Sequence, residues 1–225
     1  MFGYSFLLMN QKSLKLHLVL VVTSQTAFLQ VNGLPSAIRA TESLRNFWPT
    51  IPLTVATSPE FAAEVTGLFA EKKIAHELLI CQPTKPSQFL QALLPKFADL
   101  GALVIHDASR PLTHPDLFVR ALSALHNGAD AVRPAIAFTE TLKIVEPSGV
   151  IRQTLDRTSV RHISTPEIIR ISALDINGAD GDWFLPLRAG THVEHIEGSP
   201  DGLRINSEAE RDLLESFLHW RQLNI

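Results

Sequence analysis

Two side chains of opposite charge follow a short apolar run in the middle of the sequence. The segment VIHDASRP spans residues 104–111 and places Asp107 and Arg110 directly after that run. An aspartate there can accept hydrogen bonds from a ribose or polyol hydroxyl or bind Mg²⁺, and an arginine can form paired hydrogen bonds with a phosphate or a carboxylate. The same residues also suit a plainer structure, in which Asp107 caps a turn and Arg110 pairs with a surface carboxylate. This segment alone leaves both interpretations open.

The elements around this segment predict an α/β fold. Short β-branched runs alternate with longer amphipathic stretches, which is typical of βαβ units and a mostly parallel sheet. We predict strands at Leu16–Val22, Leu53–Ala56, Glu77–Cys81, Ala102–Ile105 and Ala131–Ile136. We predict helices at 36–47, Glu60–Lys73 and Ser87–Phe97, and another that begins at Pro115. In a three-layer α/β/α domain of this kind, ligands bind outside the carboxyl ends of the strands, where Asp107 and Arg110 would lie.

The pattern changes after the last of these strands. Residues 141–155 alternate between apolar and polar side chains around a turn at Pro147-Ser148-Gly149, which predicts a β-hairpin or arm. Near the end of the chain, Ser207 and Glu210 have the spacing of a capping box, which predicts the start of a last helix.

Composition limits the classes of partner. The 225 residues carry 20 Lys plus Arg against 23 Asp plus Glu, a net charge of −3, which gives no reason to expect nucleic acid or an anionic membrane as a partner. The single cysteine, Cys81, excludes an internal disulfide and a metal site built from cysteines, and it favours a reducing, cytoplasmic setting. We expect a single domain over residues 1–225.

The first eight residues, MFGYSFLL, are apolar but lack the basic residues that open a signal peptide. We interpret residues 1–8 as a loose extension, or as sequence upstream of a natural start at Met9. The next apolar run, Leu18–Val22, is far too short to span a bilayer, so the sequence predicts no membrane-spanning segment.

Five motifs in the second half of the chain occur together in one known family. They are HDASRP at 106–111, FTETLK at 138–143, TLDR at 154–157, STPE at 164–167 and VEHIEGSPDGLRINSEAE at 193–210. In this order and spacing the chain resembles 4-diphosphocytidyl-2-C-methyl-D-erythritol synthase, the 2-C-methyl-D-erythritol 4-phosphate cytidylyltransferase family of non-mevalonate isoprenoid biosynthesis. The resemblance runs from about residue 102 to the C-terminus, which is more than half of the chain.

This resemblance implies both a fold and a reaction. The fold is a Rossmann-like nucleotidyltransferase sheet whose β-arm, residues 138–158 here, clasps a second subunit in a homodimer. In the reaction, the phosphate of methylerythritol 4-phosphate attacks the α-phosphorus of CTP in line, with Mg²⁺, and gives the CDP-linked polyol and pyrophosphate. Catalysis of this kind depends on positioning and on cations that neutralise developing negative charge.

The resemblance also implies roles for individual side chains on the polyol-phosphate side. The matching residues are Asp107, Arg110, Thr141, Arg157, Thr165 and Arg204. Of these, Asp107, Arg157 and Arg204 match catalytic positions, and Asp107 is also the implied Mg²⁺ ligand. The family's Thr-Asp-Asp/Glu motif corresponds to DGD at 180–182, which lacks the threonine, so Asp182 suits a substrate-binding position or simple drift on a surface loop. Arg157 would reach across the dimer to the substrate phosphate, although the residue alone equally suits an ion pair with Asp156. Arg204 replaces the family's lysine, which keeps the charge and changes its geometry.

The nucleotide side of the family pattern is largely missing. Family members follow the first strand with a Gly-x-Gly-x-Arg loop and a Pro-Lys-Gln-Phe segment, whose amides and cations hold the triphosphate. Here no two of the 11 glycines are separated by a single residue, and no Lys or Arg lies between Lys15 and Arg39. A second nucleotide segment of the family corresponds to residues 81–88, where Lys85 and Gln88 stand at its Arg and Ser positions.

These departures leave three functions open. The chain could be a working synthase in which Thr23, Ser24 and Gln25, with Lys85, take over triphosphate binding. It could be a non-catalytic relative that binds the polyol phosphate or pairs with an active paralogue through the arm, which the loss of only one half of the site favours. It could instead use another polyol phosphate, such as a ribitol-type compound. We expect impaired or lost catalysis, because each lost preorganised donor costs about 10²–10³ in rate.

Overall fold

The computed structural model describes residues 14–97, 99–199 and 202–223, so the N-terminal extension and the start at Met9 lie outside the described residues. The strands are β1 (Leu16–Val22), β2 (Gln30–Val31), β3 (Leu34–Pro35), β4 (Leu53–Thr57), β5 (Glu77–Ile80), β6 (Ala102–Asp107), β7 (Ala131–Ala137), β8 (Lys143–Val145), β9 (Ile151–Thr154), β10 (Arg161–Ile163), β11 (Glu167–Arg170) and β12 (Val193–Glu197). The α-helices are α1 (Ser36–Phe47), α2 (Ala62–Glu71), α3 (Pro86–Phe97), α4 (Pro115–His126) and α5 (Glu208–Leu223).

The main sheet has a parallel core, as predicted. Its order is β10-β7-β11-β6-β1-β4-β5, and β12 also pairs with β7. Strands β6, β1, β4 and β5 run parallel to one another, whereas β11 is antiparallel to both β6 and β7. Helices cover both faces of this sheet, which confirms the Rossmann-like α/β/α fold class.

The sheet lies between two layers of helices and loops because both faces of β1 are mostly apolar and every side chain of this strand is buried. Leu18 and Leu20 point to one face and join the apolar cluster formed with α1, α2 and α4. Val19 and Val21 point to the other face and join the cluster formed with α3 and the segment 171–187. A strand buried on both faces has a nearly continuous apolar sequence, as the run Leu16–Val22 does.

Two predicted boundaries moved for identifiable reasons. β6 continues to Asp107, beyond the predicted end, because the backbone of that residue still pairs with Val21 of β1. A charged residue suggests a loop in the sequence even where its backbone belongs to a strand, so the strand was predicted to end too early. α2 begins at Ala62 rather than Glu60, because Pro59 opens a 3₁₀ turn over Pro59–Phe61 before it.

The predicted hairpin is present as β8 and β9, which pair antiparallel around the expected turn. Gly149 adopts φ +86° in that turn, a conformation that L-residues with a Cβ rarely take. Four apolar side chains on this arm are largely exposed: Ile144 at 40%, Val145 at 51%, Val150 at 58% and Ile151 at 60%.

The last helix also begins where the sequence indicates. The Ser207 hydroxyl accepts the backbone N–H of Glu210 at 3.2 Å, as in a capping box. The Glu210 carboxylate accepts the N–H of Asn206 rather than that of Ser207, so the return bond lies one residue earlier than the motif predicts. No helix in the described part of the chain is long and apolar enough to cross a membrane.

His17 should make the sheet sensitive to acid. Its ring is only 7% exposed and hydrogen-bonds the Thr54 hydroxyl at 2.9 Å, and burial, helped by the charge of Arg45, lowers its pKa to about 4. Because an unfolded histidine titrates near 6.5, the unfolded chain binds this proton first, and stability falls as the pH drops from about 6.5 to about 4. The melting temperature of His17→Gln should therefore fall less over this range than that of the wild type, as followed by circular dichroism. Parallel curves would contradict this assignment.

Candidate functional site

A cavity of about 340 Å³ opens at the carboxyl edge of the sheet, where the segments after β5 and β6 meet the connection between β10 and β11. We call it the central pocket. Its wall includes Pro83, Thr84, Asp107, Arg110, Ser164, Thr165, Glu167, Asp182, Trp183 and Arg204. The cavity lies where the strand pattern predicts a ligand, and it brings together five of the residues that the sequence singled out.

The carboxylate of Asp107 is buried in the wall, and each of its oxygens accepts one hydrogen bond. Oδ1 accepts the backbone N–H of Ser109 at 2.9 Å, and Oδ2 accepts Nε of Arg204 at 2.8 Å. Nε of Arg110 lies 3.8 Å from Oδ2 as a second positive neighbour. The turn-capping and ligand-binding interpretations are therefore compatible, because Asp107 caps its own turn and still faces the pocket.

Arg110 is buried and acts as a brace between segments. Its Nη1 donates to the carbonyl of Gly202 at 2.6 Å, and its Nη2 donates to the carbonyl of Ile163 at 3.1 Å. Burial lowers the pKa of this guanidinium, while Asp107 opposes that shift. The guanidinium fork that could bind a phosphate is thus directed at backbone carbonyls in this structure.

Arg204 connects the C-terminal segment to the end of β1. Besides Asp107, it donates from Nη2 towards the hydroxyls of Thr23 at 3.3 Å and Ser24 at 3.5 Å. The Ser24 hydroxyl also contacts that of Thr26 at 2.7 Å. The end of β1 therefore presents hydroxyl groups and one guanidinium from a distant segment, in place of a loop with its own cations.

Thr165 holds the end of β6 because its hydroxyl both accepts and donates a hydrogen bond there. The oxygen accepts the backbone N–H of Asp107 at 3.2 Å, and the hydroxyl lies 2.8 Å from Nδ1 of His106. Burial lowers the pKa of His106 to about 4, so the ring is neutral and Nδ1 can accept this proton. The substrate contact that the resemblance implies for Thr165 would use the remaining lone pair of its oxygen.

Asp182 lies at the mouth of the pocket and pairs with an arginine that the sequence did not single out. Nη2 of Arg133 is 2.5 Å from Oδ2 of Asp182, and its Nη1 donates to the carbonyl of the same residue at 2.8 Å. The guanidinium also lies 4.1 Å from the ring centre of Trp183, a cation–π distance. Arg133 therefore fixes the segment 180–184 against the sheet.

Glu167 forms the floor of the pocket beside this arginine. Its Oε2 accepts the N–H of Phe184 at 2.9 Å, and its Oε1 lies 3.6 Å from Nη1 of Arg133. Burial raises the pKa of this carboxyl to about 7, and the Phe184 N–H and Arg133 only partly offset that shift.

Thr141 and Arg157 lie away from the central pocket. Arg157 lines a second cavity of about 390 Å³ beside the arm, and its Nη1 donates to the carbonyl of Thr139 at 2.7 Å. The ion pair with Asp156 is not formed, because that carboxylate instead accepts the N–H and hydroxyl of Thr158. Thr141 is exposed at the base of the arm.

Lys85 and Gln88 are exposed beside the central pocket and do not line it. Lys85 lies in the segment after β5, and Gln88 lies in the first turn of α3. Asp180 holds this segment, since its Oδ1 accepts the N–H of Ser87 at 2.7 Å and so caps α3. The Ser87 hydrogen bonds keep the pKa of Asp180 below its usual value.

Asp107 is the one predicted metal ligand of the site. Among residues 14–97, 99–199 and 202–223, no group of three or more His, Cys, Asp or Glu side chains is placed to hold a metal ion. A Mg²⁺ ion that arrives with phosphates needs only one or two protein carboxylates, because phosphate and water oxygens complete its octahedron. The donor set fits that kind of binding.

Motif reasoning missed Arg133 and Trp183, and it included Glu167 only as the last residue of STPE without giving it a role. A signal was available for Arg133, because an arginine inside the otherwise apolar run AVRPAIA must find a buried partner. The identity of that partner depends on the tertiary fold, since Asp182 is 49 positions further along the chain.

Comparison with protein families agrees with the motif pattern. The family model described as 2-C-methyl-D-erythritol 4-phosphate cytidylyltransferase matches residues 25–218. The enzyme of that name from Nocardia farcinica is 28% identical over 204 residues, which cover 88% of this chain and 87% of the relative. A bifunctional enzyme IspD/IspF from Sinorhizobium medicae is 33% identical over 184 residues, which cover 75% of this chain and 45% of that protein.

Solved structures are similar in fold. A 4-diphosphocytidyl-2C-methyl-D-erythritol synthase from Anaerococcus prevotii superposes with a TM-score of 0.69 at 14% identity, covering 91% of this chain and 98% of that one. A 2-C-methyl-D-erythritol 4-phosphate cytidylyltransferase from Thermus thermophilus gives 0.70 at 21% identity, covering 89% and 98%.

The brace formed by Arg110 should be essential for stability. In Arg110→Met, the carbonyls of Gly202 and Ile163 lose their donors and Asp107 loses a positive neighbour, so the free energy of unfolding should fall by about 2–4 kcal/mol. Urea denaturation measures this change. The matched control is Arg152→Met on the exposed arm, where the side chain forms an exposed ion pair with Glu146 and the change should stay within about 0.5 kcal/mol. Equal effects of the two substitutions would contradict the structural role of Arg110.

Proposed function

The chain belongs to the 2-C-methyl-D-erythritol 4-phosphate cytidylyltransferase family, and from that premise we propose that it binds a polyol phosphate in the central pocket and transfers a cytidylyl group from CTP slowly. The substrate in this proposal is 2-C-methyl-D-erythritol 4-phosphate. A phosphate oxygen of this substrate attacks the α-phosphorus of CTP, the bond to the β-phosphate oxygen breaks, and pyrophosphate leaves.

The uneven charge of the central pocket carries this proposal. On one side, Arg110 and Arg204 surround the single carboxylate of Asp107, so positive charge is in excess. On the other side, Glu167 and Asp182 share Arg133, so negative charge is in excess once the Glu167 carboxyl, whose pKa is raised to about 7, is ionised. A polyol phosphate has the matching polarity, because its phosphate suits the two arginines and its hydroxyls can donate to the carboxylates.

The end of β1 supports a slow transfer. Family members use glycine-loop amides and their own cations there, whereas Thr23 and Ser24 here offer hydroxyls and depend on Arg204 for charge. The same edge also carries a carboxylate, since Gln25 donates to Glu64 at 3.1 Å. A Mg²⁺ ion held by Asp107 and the phosphates would neutralise part of the triphosphate charge, but the missing cations still leave the developing charge less stabilised.

Arg157 would complete the site from a second copy of the chain. It does not line the central pocket of its own chain. The arm that carries it exposes Ile144, Val145, Val150 and Ile151, which is an unusual concentration of apolar surface on a hairpin. We therefore expect a homodimer in which each arm covers the partner and brings Arg157 to the partner's bound phosphate.

A second candidate is a non-catalytic subunit. The same exposed arm could pair with an active paralogue and supply Arg157 to its site, with this chain contributing no turnover of its own. Mixing this chain with an active relative would test this second function. If mixed dimers form, a relative whose arm arginine has been replaced should regain turnover when this chain is added, because this chain supplies Arg157. Use of a different polyol phosphate is separated from both by comparing substrates in one binding assay.

Pyrophosphate release from CTP, Mg²⁺ and methylerythritol 4-phosphate tests the main proposal. We expect turnover at least about 100-fold below that of a relative with the glycine-rich loop, because several donors are missing together. Methylerythritol 4-phosphate alone should raise the melting temperature, and Arg157→Ala should reduce that shift. Arg152→Ala, which alters an exposed arginine of the same arm, is the matched control and should leave the shift unchanged.

Two outcomes would contradict the proposal in different ways. Turnover within about 10-fold of the relative would show that the missing loop is functionally replaced. No change of melting temperature with methylerythritol 4-phosphate would show that the central pocket does not bind this substrate.

The arm interface gives a separate prediction. Analytical ultracentrifugation should find a dimer for the wild type, and Ile151→Asp should weaken it at least about 10-fold because a charge enters an apolar contact. Ile176→Asp is the matched control, since Ile176 is 54% exposed and lies outside the arm. A monomeric wild type, or equal effects of the two substitutions, would contradict dimerisation through the arm.

A further inference from the structure

Glu167 is a buried carboxylate that faces the polyol end of the central pocket. It starts β11 and lies opposite Ile105 of β6, so its side chain enters the pocket from the sheet. Only 3% of the residue is exposed, yet it belongs to the pocket wall together with Thr165 and Asp182. None of the roles that the family resemblance implies falls on this residue.

Glu167 can still accept a hydrogen bond from a ligand, because its contacts do not use all of its acceptor positions. A carboxylate has about four acceptor positions on its two oxygens. The N–H of Phe184 uses one on Oε2 at 2.9 Å, while Nη1 of Arg133 lies 3.6 Å from Oε1, which is outside the usual range of a direct hydrogen bond. Arg133 approaches Asp182 much more closely, at 2.5 Å, so it pairs more strongly with Asp182 than with Glu167.

We propose that Glu167 is a specificity-determining residue, whose carboxylate accepts a hydrogen bond from a hydroxyl of the bound polyol phosphate. This inference rests on the proposed function, since it concerns the same pocket. Arg133 acts as a positioning residue, because it holds the carboxylates of Glu167 and Asp182 at one side of the cavity. The phosphate lies at the opposite side, next to Arg204, and does not touch Glu167.

The charge around Glu167 predicts how binding depends on pH. Arg133 from β7, His195 from β12 and Asp182 from the segment 180–184 are the charged and titratable groups on the Glu167 side of the pocket. The groups on the opposite side are Asp107 at the end of β6, Arg110 in the turn that follows, and Arg204 from the C-terminal segment. Arg133 holds the pKa of Asp182 below its usual value, and burial, helped by the charge of Arg133, lowers the pKa of His195. Glu167, with its pKa raised to about 7, loses its proton between pH 6 and 8.

A ligand hydroxyl stabilises the ionised carboxylate, so affinity for the polyol should rise as the pH increases through about 7. The phosphate of the ligand titrates in the same range, which makes the wild type alone uninformative. Glu167→Gln removes only the contribution of the carboxyl, because a glutamine has the shape of a protonated glutamate. The ratio of wild-type to variant affinity therefore isolates Glu167.

The experiment is isothermal titration calorimetry of the full chain with methylerythritol 4-phosphate at pH 5.5, 7 and 8. The affinity ratio of wild type to Glu167→Gln should be near 1 at pH 5.5 and about 10 or more at pH 8. With inorganic phosphate as the probe, the ratio should stay near 1 at every pH. Glu77→Gln, an exposed carboxylate paired with Lys96, is the matched control and should give a ratio near 1 throughout.

The outcomes separate this inference from the proposed function. If the wild type binds methylerythritol 4-phosphate but the ratio is independent of pH, Glu167 does not contact the polyol and only this inference fails. An equal loss of affinity for inorganic phosphate would mean that Glu167 acts through the structure of the pocket, and this also overturns the inference. If the wild type does not bind methylerythritol 4-phosphate, both the proposed function and the inference fail.

Discussion

The central pocket depends on the pairing of one buried carboxylate. Asp107 ends β6 with its charge out of water, which costs free energy unless cations and hydrogen-bond donors surround it. Arg110 comes from the same turn, Arg204 comes from the C-terminal segment, and Thr165 receives the backbone N–H. To supply these partners, the C-terminal segment and the β10–β11 connection must close over the end of the sheet. The cavity is the space that this closure leaves.

Much of the fold could be predicted because it depends on local pattern. The apolar run of β1, the alternation of the arm and the capping residues at Ser207 each indicate their element from a few neighbouring residues. The resemblance gave substrate or metal roles to Asp107, Arg110, Thr165, Asp182 and Arg204, and the structure places these five residues around one pocket. The contacts of Arg133 could not be predicted, because its partners Glu167 and Asp182 become neighbours only when β7, β11 and the segment 180–184 pack together. The direction of the Arg110 guanidinium was open for the same reason, since its two carbonyl partners are distant in sequence.

The two halves of the site differ in how they obtain charge. On the polyol side, cations and carboxylates are fixed by buried contacts, so the site is formed before a ligand arrives, and such preorganisation reduces the cost of binding. At the end of β1, Arg204 must serve Asp107 and the hydroxyls of Thr23 and Ser24 at once. One guanidinium cannot replace several loop amides and two further cations around a triphosphate. The proposed combination of polyol-phosphate binding with slow nucleotidyl transfer rests on this contrast.

The most direct test of this account is a crystal structure with methylerythritol 4-phosphate bound. We expect the ligand in the central pocket, with its phosphate near Arg204 and the Arg157 side chain of a second copy, and with a hydroxyl within hydrogen-bond distance of Glu167. A ligand bound outside this pocket, or a phosphate turned towards Glu167 and Asp182, would contradict it.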